Sequence, residues 1–173
     1  MAAPTGGSFS PPKKYGPSLL ISDNPEHVML REHKNKIIAA GNWKGQSAKS
    51  LRIYVHSESV KWVGFVGKIV TVLSAPSNLN VSIVREGAAV NKSPIAAGLE
   101  STIEWFGNPI KKSLTPSGNL YLVAEQTLSK VQTYDAIYDL GIGNLSEQGV
   151  IEVRVAALET GKDWKEVFTA LSL

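Results

Sequence analysis

Residues 49–85, KSLRIYVHSESVKWVGFVGKIVTVLSAPSNLNVSIVR, decide the fold. Three β-type runs stand in this stretch, at 51–55, 61–73 and 79–84, with turn material between them, HSES and SAPSN. In the first, Leu51, Ile53 and Val55 alternate with Arg52 and Tyr54, the period of two expected of a half-buried strand. The second is denser: Trp62, Val63, Phe65, Val66, Ile69, Val70, Val72 and Leu73, interrupted by Gly64 and Gly67. It is long for one strand, whose usual length is about 5–6 residues, so the glycines are read as a bulge or bend between sheets. In the third, Leu79, Val81 and Ile83 alternate with Asn80, Ser82 and Val84. This is the middle of a β-sandwich, and the rest of the chain is read as extending it.

Working outward towards the N-terminus, 36–40 reads as a strand, and Gly41–Gly45 (GNWKG) as a turn with Trp43 packing inward. Before it, Asn24-Pro25-Glu26 carries the signature of a helix start: a capping side chain, proline at the first position and an acid in the first turn. A short helix over 25–33 is expected. Residues 1–18 are rich in Pro, Gly and Ser, which cannot bury enough apolar surface to offset chain entropy, so a flexible arm is expected. Residues 19–173 then form one domain, a size that suits a single core.

Towards the C-terminus, 86–99 is polar and small and reads as a loop, 102–106 as a strand, 107–119 as a loop and 120–125 as a strand. Residues 128–138 fit either a helix or a strand, and 139–149 read as a glycine-rich loop. Residues 150–158 form a clear strand, with Ile151, Val153 and Val155 set against Glu152 and Arg154. At the end, Trp164, Val167, Phe168 and Leu171 recur at helical spacing, so 163–171 reads as a short amphipathic helix or a docking tail. The expected fold is all-β: a jelly-roll or Greek-key β-sandwich of about eight strands with short helices. Long connections beside short hairpins favour it over a meander.

The chain has no cysteine, which removes disulfides, thiolate metal sites and cysteine nucleophiles. The net charge of +3 is uneven, near +6 up to Lys68 and −3 beyond it. A surface of two signs suits contact between subunits or attraction to a polyanion, although a scattered, solvated set of charges has the same sum. No apolar run approaches the roughly 18 residues of a membrane span, so no membrane partner is expected.

Catalytic patterns are not found. His27, His33 and His56 are not spaced to share a metal on one helix face. Asp135 and Asp139 are four apart and would share a helical face, more simply a solvated one than a paired-carboxylate site. Gly141-Ile142-Gly143 lacks the third glycine of a dinucleotide fingerprint. No P-loop, nucleophile elbow or zinc-protease motif occurs. The expectation is therefore no catalytic residues, no metal, no cofactor and no enzyme. Trp43 or Trp105 could serve as a sugar-stacking platform, the alternative being a monomeric carbohydrate-binding β-sandwich. Trp62, Trp105 and Trp164 lie in apolar runs and are better read as core or interface.

With the strands in order, the chain resembles the single jelly-roll coat proteins of small plant RNA viruses, bromovirus-like. The similarity lies in a Pro/Gly/Ser-rich arm, then KIIAAGNW, SLRIYV, KWVGFVGKIVTVL joined through a Pro/Ser turn to LNVSIVR, and VIEVRVAAL followed by DWKEVF. It covers about residues 36–168 and rests on order and hydrophobic texture. The resemblance implies a self-assembling capsid subunit that encloses RNA in a virion built in the host cytoplasm. Such proteins often carry an arginine-rich arm, whereas this arm has only Lys13 and Lys14. RNA contact would then draw also on Arg31, Lys34, Lys36, Lys44, Lys49 and Arg52. Subunit contacts are expected from Phe9 and Tyr15 in the arm and from Trp164, Val167, Phe168 and Leu171 at the end.

Overall fold

The computed structural model describes residues 17–23, 27, 28, 30–59, 67–107 and 109–170. Among them the chain forms β1 (Ser18–Ser22), β2 (His27–Val28), α1 (Leu30–His33), β3 (Lys36–Lys44), a single 3-10 turn (Gly45–Ala48) and β4 (Ser50–Ser59). Next come β5 (Gly67–Ser74), β6 (Asn80–Asn91), α2 (Pro94–Gly107), β7 (Pro109–Ser113) and β8 (Pro116–Ser117). The chain closes with β9 (Leu120–Leu128), β10 (Thr133–Gly143), β11 (Val150–Glu159) and α3 (Trp164–Ala170).

The strands make two sheets. Sheet A has the order β1-β4-β10-β6-β7, with β2 also on β4, and sheet B the order β3-β11-β5-β9-β8. The antiparallel partners are β3 with β11, β4 with β10, β5 with β9 and β6 with β7. These four pairs nest: first with last, second with second-last, and so inward. One long two-stranded ribbon has been wrapped into a double-sheet jelly roll, as expected from the sequence.

Inward-facing residues supply the main core. Leu51, Ile53 and Val55 of β4 meet Tyr134, Ala136, Tyr138 and Leu140 of β10 and, from sheet B, Ile69, Leu73, Tyr121, Val153 and Val155. A second core lies on the outer face of sheet B. There Val70, Val72, Ala156 and Leu158 are covered by Trp164, Val167 and Phe168 of α3. Because both faces are covered, the later half of β11 reads as an unbroken apolar run, and β5 as one broken by the buried Thr71, rather than as alternations. Asp163 Oδ1 accepts from the Lys165 backbone N–H at 2.9 Å and starts α3.

Several local expectations are corrected. Residues 102–106 lie in a helix, not a strand, and 86–99 are not a loop: β6 runs to Asn91 and α2 begins at Pro94. The start of α2 is a cap. Ser93 Oγ accepts from the Ala96 N–H at 3.4 Å, and Pro94 stands at the first helical position, where its missing N–H costs nothing. The ambiguous 128–138 segment is the end of β9, a turn at 129–132 and the start of β10, which runs from Thr133 to Gly143 and takes in the start of the expected 139–149 loop. The expected 107–119 loop contains β7 and β8. Gly41 to Lys44 of GNWKG belong to β3 rather than to a turn, and Gly45 opens the 3-10 turn, with Trp43 half-buried against the main core. HSES continues β4. The 25–33 helix is reduced to α1, after the two-residue β2. The expected bend at Gly64 lies outside the described residues.

Tyr134 and Tyr138 share a 2.6 Å hydrogen bond inside the core. Burial pushes both hydroxyls up, Tyr134 well above its ordinary value and Tyr138 to about 12. The fold keeps these phenols protonated where the unfolded chain ionises near 10. Their stabilisation is therefore complete below pH 10 and is lost as pH rises from about 10 through about 12. Urea midpoints should hold to about pH 9 and fall steeply by pH 11, less steeply in Tyr138→Phe. A midpoint flat across that range would contradict the burial of this pair.

Candidate functional site

The chemistry-bearing side chains collect on the outer face of sheet A, beneath and beside α2. The pleat sends Asp135, Ile137 and Asp139 of β10 outward, together with Arg52, Tyr54, His56 and Glu58 of β4, because the alternate residues fill the core. The register sets Tyr54 opposite Ile137 and His56 opposite Asp135. Asp135 and Asp139 thus share a strand face rather than a helical one.

Asp135 is 1% exposed and anchors α2. Its carboxylate accepts from Ser101 Oγ on α2 at 2.5 Å and from Tyr54 Oη at 2.8 Å, with His56 Nδ1 at 3.0 Å. A carboxylate can only accept, so Nδ1 carries the proton in this contact. Burial, reinforced by the hydrogen bond to Asp135, pushes the Tyr54 hydroxyl up. Asp135 thus ties Ser101 on α2 to Tyr54 and His56 on β4.

The helix is held along β6 as well. β7 pairs with β6 from Ser82 to Arg85, and among the described residues no strand continues that pairing along the later part of β6. There α2 takes over: Glu104 Oε2 accepts from the Ala88 N–H at 3.1 Å and Glu100 Oε1 from Asn91 Nδ2 at 3.2 Å. Covering an edge in this way satisfies its polar groups. The face turned to the sheet carries small residues, with Ala97 and Ser101 fully buried.

The outer side of α2 is the reverse of a usual surface helix. Ile95 is 84% exposed, Leu99 59%, Ile103 61% and Phe106 68%. Trp105 lies at the flank, edge-on to Phe106, with the guanidiniums of Arg52 and Arg85 at 4.3 and 5.0 Å from its ring centroid. Arg52 also clamps Asp139 through two hydrogen bonds of 2.7 and 2.9 Å, which raise its pKa. Between Trp105 and the edge strand β1 runs an open groove of about 250 Å³, lined by Leu19, Ile21, Arg52, Tyr54, Trp105 and Ile137. Leu19 and Ile21 are themselves more than half exposed.

The described members of the basic set singled out in the sequence sit on several elements. Lys36 and Lys44 stand at opposite ends of β3, Lys49 just before β4, and Lys34 pairs with Glu159 at 2.6 Å. Among the described members of the set, Arg52 belongs to the face described above. Lys13, Lys14, Phe9, Tyr15 and Leu171 lie outside the described residues, as does the side chain of Arg31. Trp164, Val167 and Phe168 of α3 are buried within the chain, against the outer face of sheet B. The Trp105 ring, weighed as a sugar platform, is engaged by two arginines, and Trp43 is half-buried in β3. Among the described residues, no helix is long and apolar enough to cross a membrane and no group of three or more His, Asp or Glu is placed to hold a metal. The α2 face was missed in the sequence, although Ser93-Pro94 followed by Ala97 and Ser101 at helical spacing was there to be read. No protein-family model matches the chain, and no curated protein matches it.

Proposed function

We propose that the protein is a self-assembling structural subunit, a coat protein that encloses nucleic acid. The observation that carries this reading is the apolar outer surface of α2, continued across the groove to Leu19 and Ile21. Contiguous apolar surface of this kind on a folded protein marks an interaction site. The double-sheet jelly roll supports the reading as an architecture shared with viral capsid domains, while the fold alone does not assign an activity. The uneven charge adds to it, since the basic first part of the chain can meet a polyanion.

Neutralising about five phosphates through Lys13, Lys14, Lys36, Lys44 and Lys49 would make RNA affinity fall by orders of magnitude from low to high salt. The test is assembly in the presence of RNA. The purified protein mixed with RNA at low salt should yield particles in which the RNA resists nuclease, and particles and protection should disappear together at high salt. RNA that stays fully nuclease-sensitive at every protein ratio would overturn the proposal.

A further inference from the structure

We propose that the exposed stripe of α2 is a two-fold contact that takes α2 of a second copy, antiparallel, with Leu99 against Ile103 and Ile95 against Phe106. This rests on the self-assembly reading and names its contact. Three observations select a second copy as the occupant.

The first is spacing. The outward residues fall at 95, 99, 103 and 106, nearly symmetric about a point beside Ser101. Reversing the helix about that point brings 99 onto 103 and 95 onto 106, to within about one residue's rise of ~1.5 Å. A two-fold interface requires this property, residue i meeting j while j meets i. An unrelated partner places no such demand on the pattern.

The second is charge. Helix α2 contains no lysine or arginine, and its two acids are turned to the β6 edge, where Glu104 holds the Ala88 N–H and Glu100 holds Asn91. The stripe offers no charge to attract a polyanion or a charged peptide. Two copies bring apolar stripe to apolar stripe, with the acids of each held at the margin toward its own β6.

The third is area. Four side chains this exposed present on the order of 500 Å² per copy, so a pair buries about 1,000 Å² in total, the lower limit for a specific interface. Such a contact forms reversibly and gains strength when repeated in a larger assembly. The groove at Leu19 and Ile21 adjoins it through Trp105 and Phe106 and can extend it.

The absence of cysteine makes a clean test. Leu99→Cys, Ile103→Cys, Ile95→Cys and Phe106→Cys are prepared singly, and all four sites are exposed enough to leave folding intact. Under mild oxidation a mixture of the 99 and 103 variants should form the mixed disulfide several-fold faster than the 95 variant forms its homodimer, and the 95 and 106 variants should likewise pair with each other. Leu99→Glu with Ile103→Glu should weaken dimerisation at least tenfold. Particles that form without the 99–103 cross-link would overturn the contact and leave the coat reading standing. Cross-linked dimers that never assemble further would sustain the contact and overturn the coat reading. A cross-link seen only after deletion of residues 1–16 would mean that the chain's own first segment covers the stripe, which overturns the proposal, as would equal rates for all pairs.

Discussion

Gly87→Ala is expected to detach helix α2 from sheet A. Gly87 stands in β6 opposite Ile137, directly under the helix. A Cβ built there would lie 1.9 Å from the Ser101 carbonyl oxygen and 2.5 Å from the Trp105 backbone nitrogen. Both are backbone atoms in the middle of a helix, so no rotamer change relieves the clash. Either the helix lifts by more than an ångström, or β6 bends away from β10. The first breaks the hydrogen bonds of Glu104 to Ala88 and of Ser101 to Asp135. The expected loss is about 3 kcal/mol or more, beyond ordinary overpacking because the obstruction is main chain. Hydrogen exchange of residues 94–107 should speed at least tenfold, with β5 and β11 little changed. Gly107→Ala serves as control: nothing lies within 4 Å of its Cβ, and stability should stay within about 0.5 kcal/mol. Wild-type stability and unchanged protection of α2 in Gly87→Ala would contradict the docking described.

Asp135→Ala carries the second large effect. The side chain is buried and faces three donors, on α2 and on β4. Its removal leaves Ser101 Oγ, Tyr54 Oη and His56 Nδ1 without their acceptor in a covered site. Breaking a buried, charge-bearing network from one side costs about 3–5 kcal/mol, most of it the penalty on the groups left behind. Asp135→Asn keeps one acceptor oxygen but turns a donor towards the other donors, so it should recover less than half of the loss. The double variant Asp135→Ala, Ser101→Ala should be more stable than the sum of its parts predicts, since the serine no longer strands a hydroxyl. Urea unfolding of the four proteins measures the coupling. Strict additivity would show that Asp135 does not hold the helix through Ser101.

The two predictions concern the part of the molecule hardest to read from sequence. Strands with one wet face announce themselves. Leu51, Ile53 and Val55 of β4 alternate with polar residues, as do Val81 and Ile83 of β6, and the resulting sandwich and its jelly-roll class were legible. Alternation fails where helices cover the outer faces. Asp135 looked like a solvated carboxylate because its cover, α2, is distant in the chain. Helix α2 itself was hidden for a different reason. Its buried face is Ala97 and Ser101, and its apolar residues point outward, so the pattern is amphipathic with the polarity reversed. Such a helix makes sense only when a further partner is counted. In α3, by contrast, Trp164, Val167 and Phe168 face inward in the ordinary way, so the helix was found, while its apolar face, read as an intersubunit contact, is buried within the subunit. The basic residues were identifiable one by one, but which elements the described ones fall on, Lys36 and Lys44 on β3 and Arg52 on β4, depends on the wrapping of the ribbon, which composition does not encode.

Sedimentation velocity of the full chain, over a hundredfold range of concentration and from low to high salt, tests the central claim most directly. Self-assembly through the α2 face predicts a reversible dimer that feeds a much larger, salt-sensitive species, with both lost in Leu99→Glu, Ile103→Glu. A single monomer boundary at every concentration and salt, unchanged by those substitutions, would contradict it.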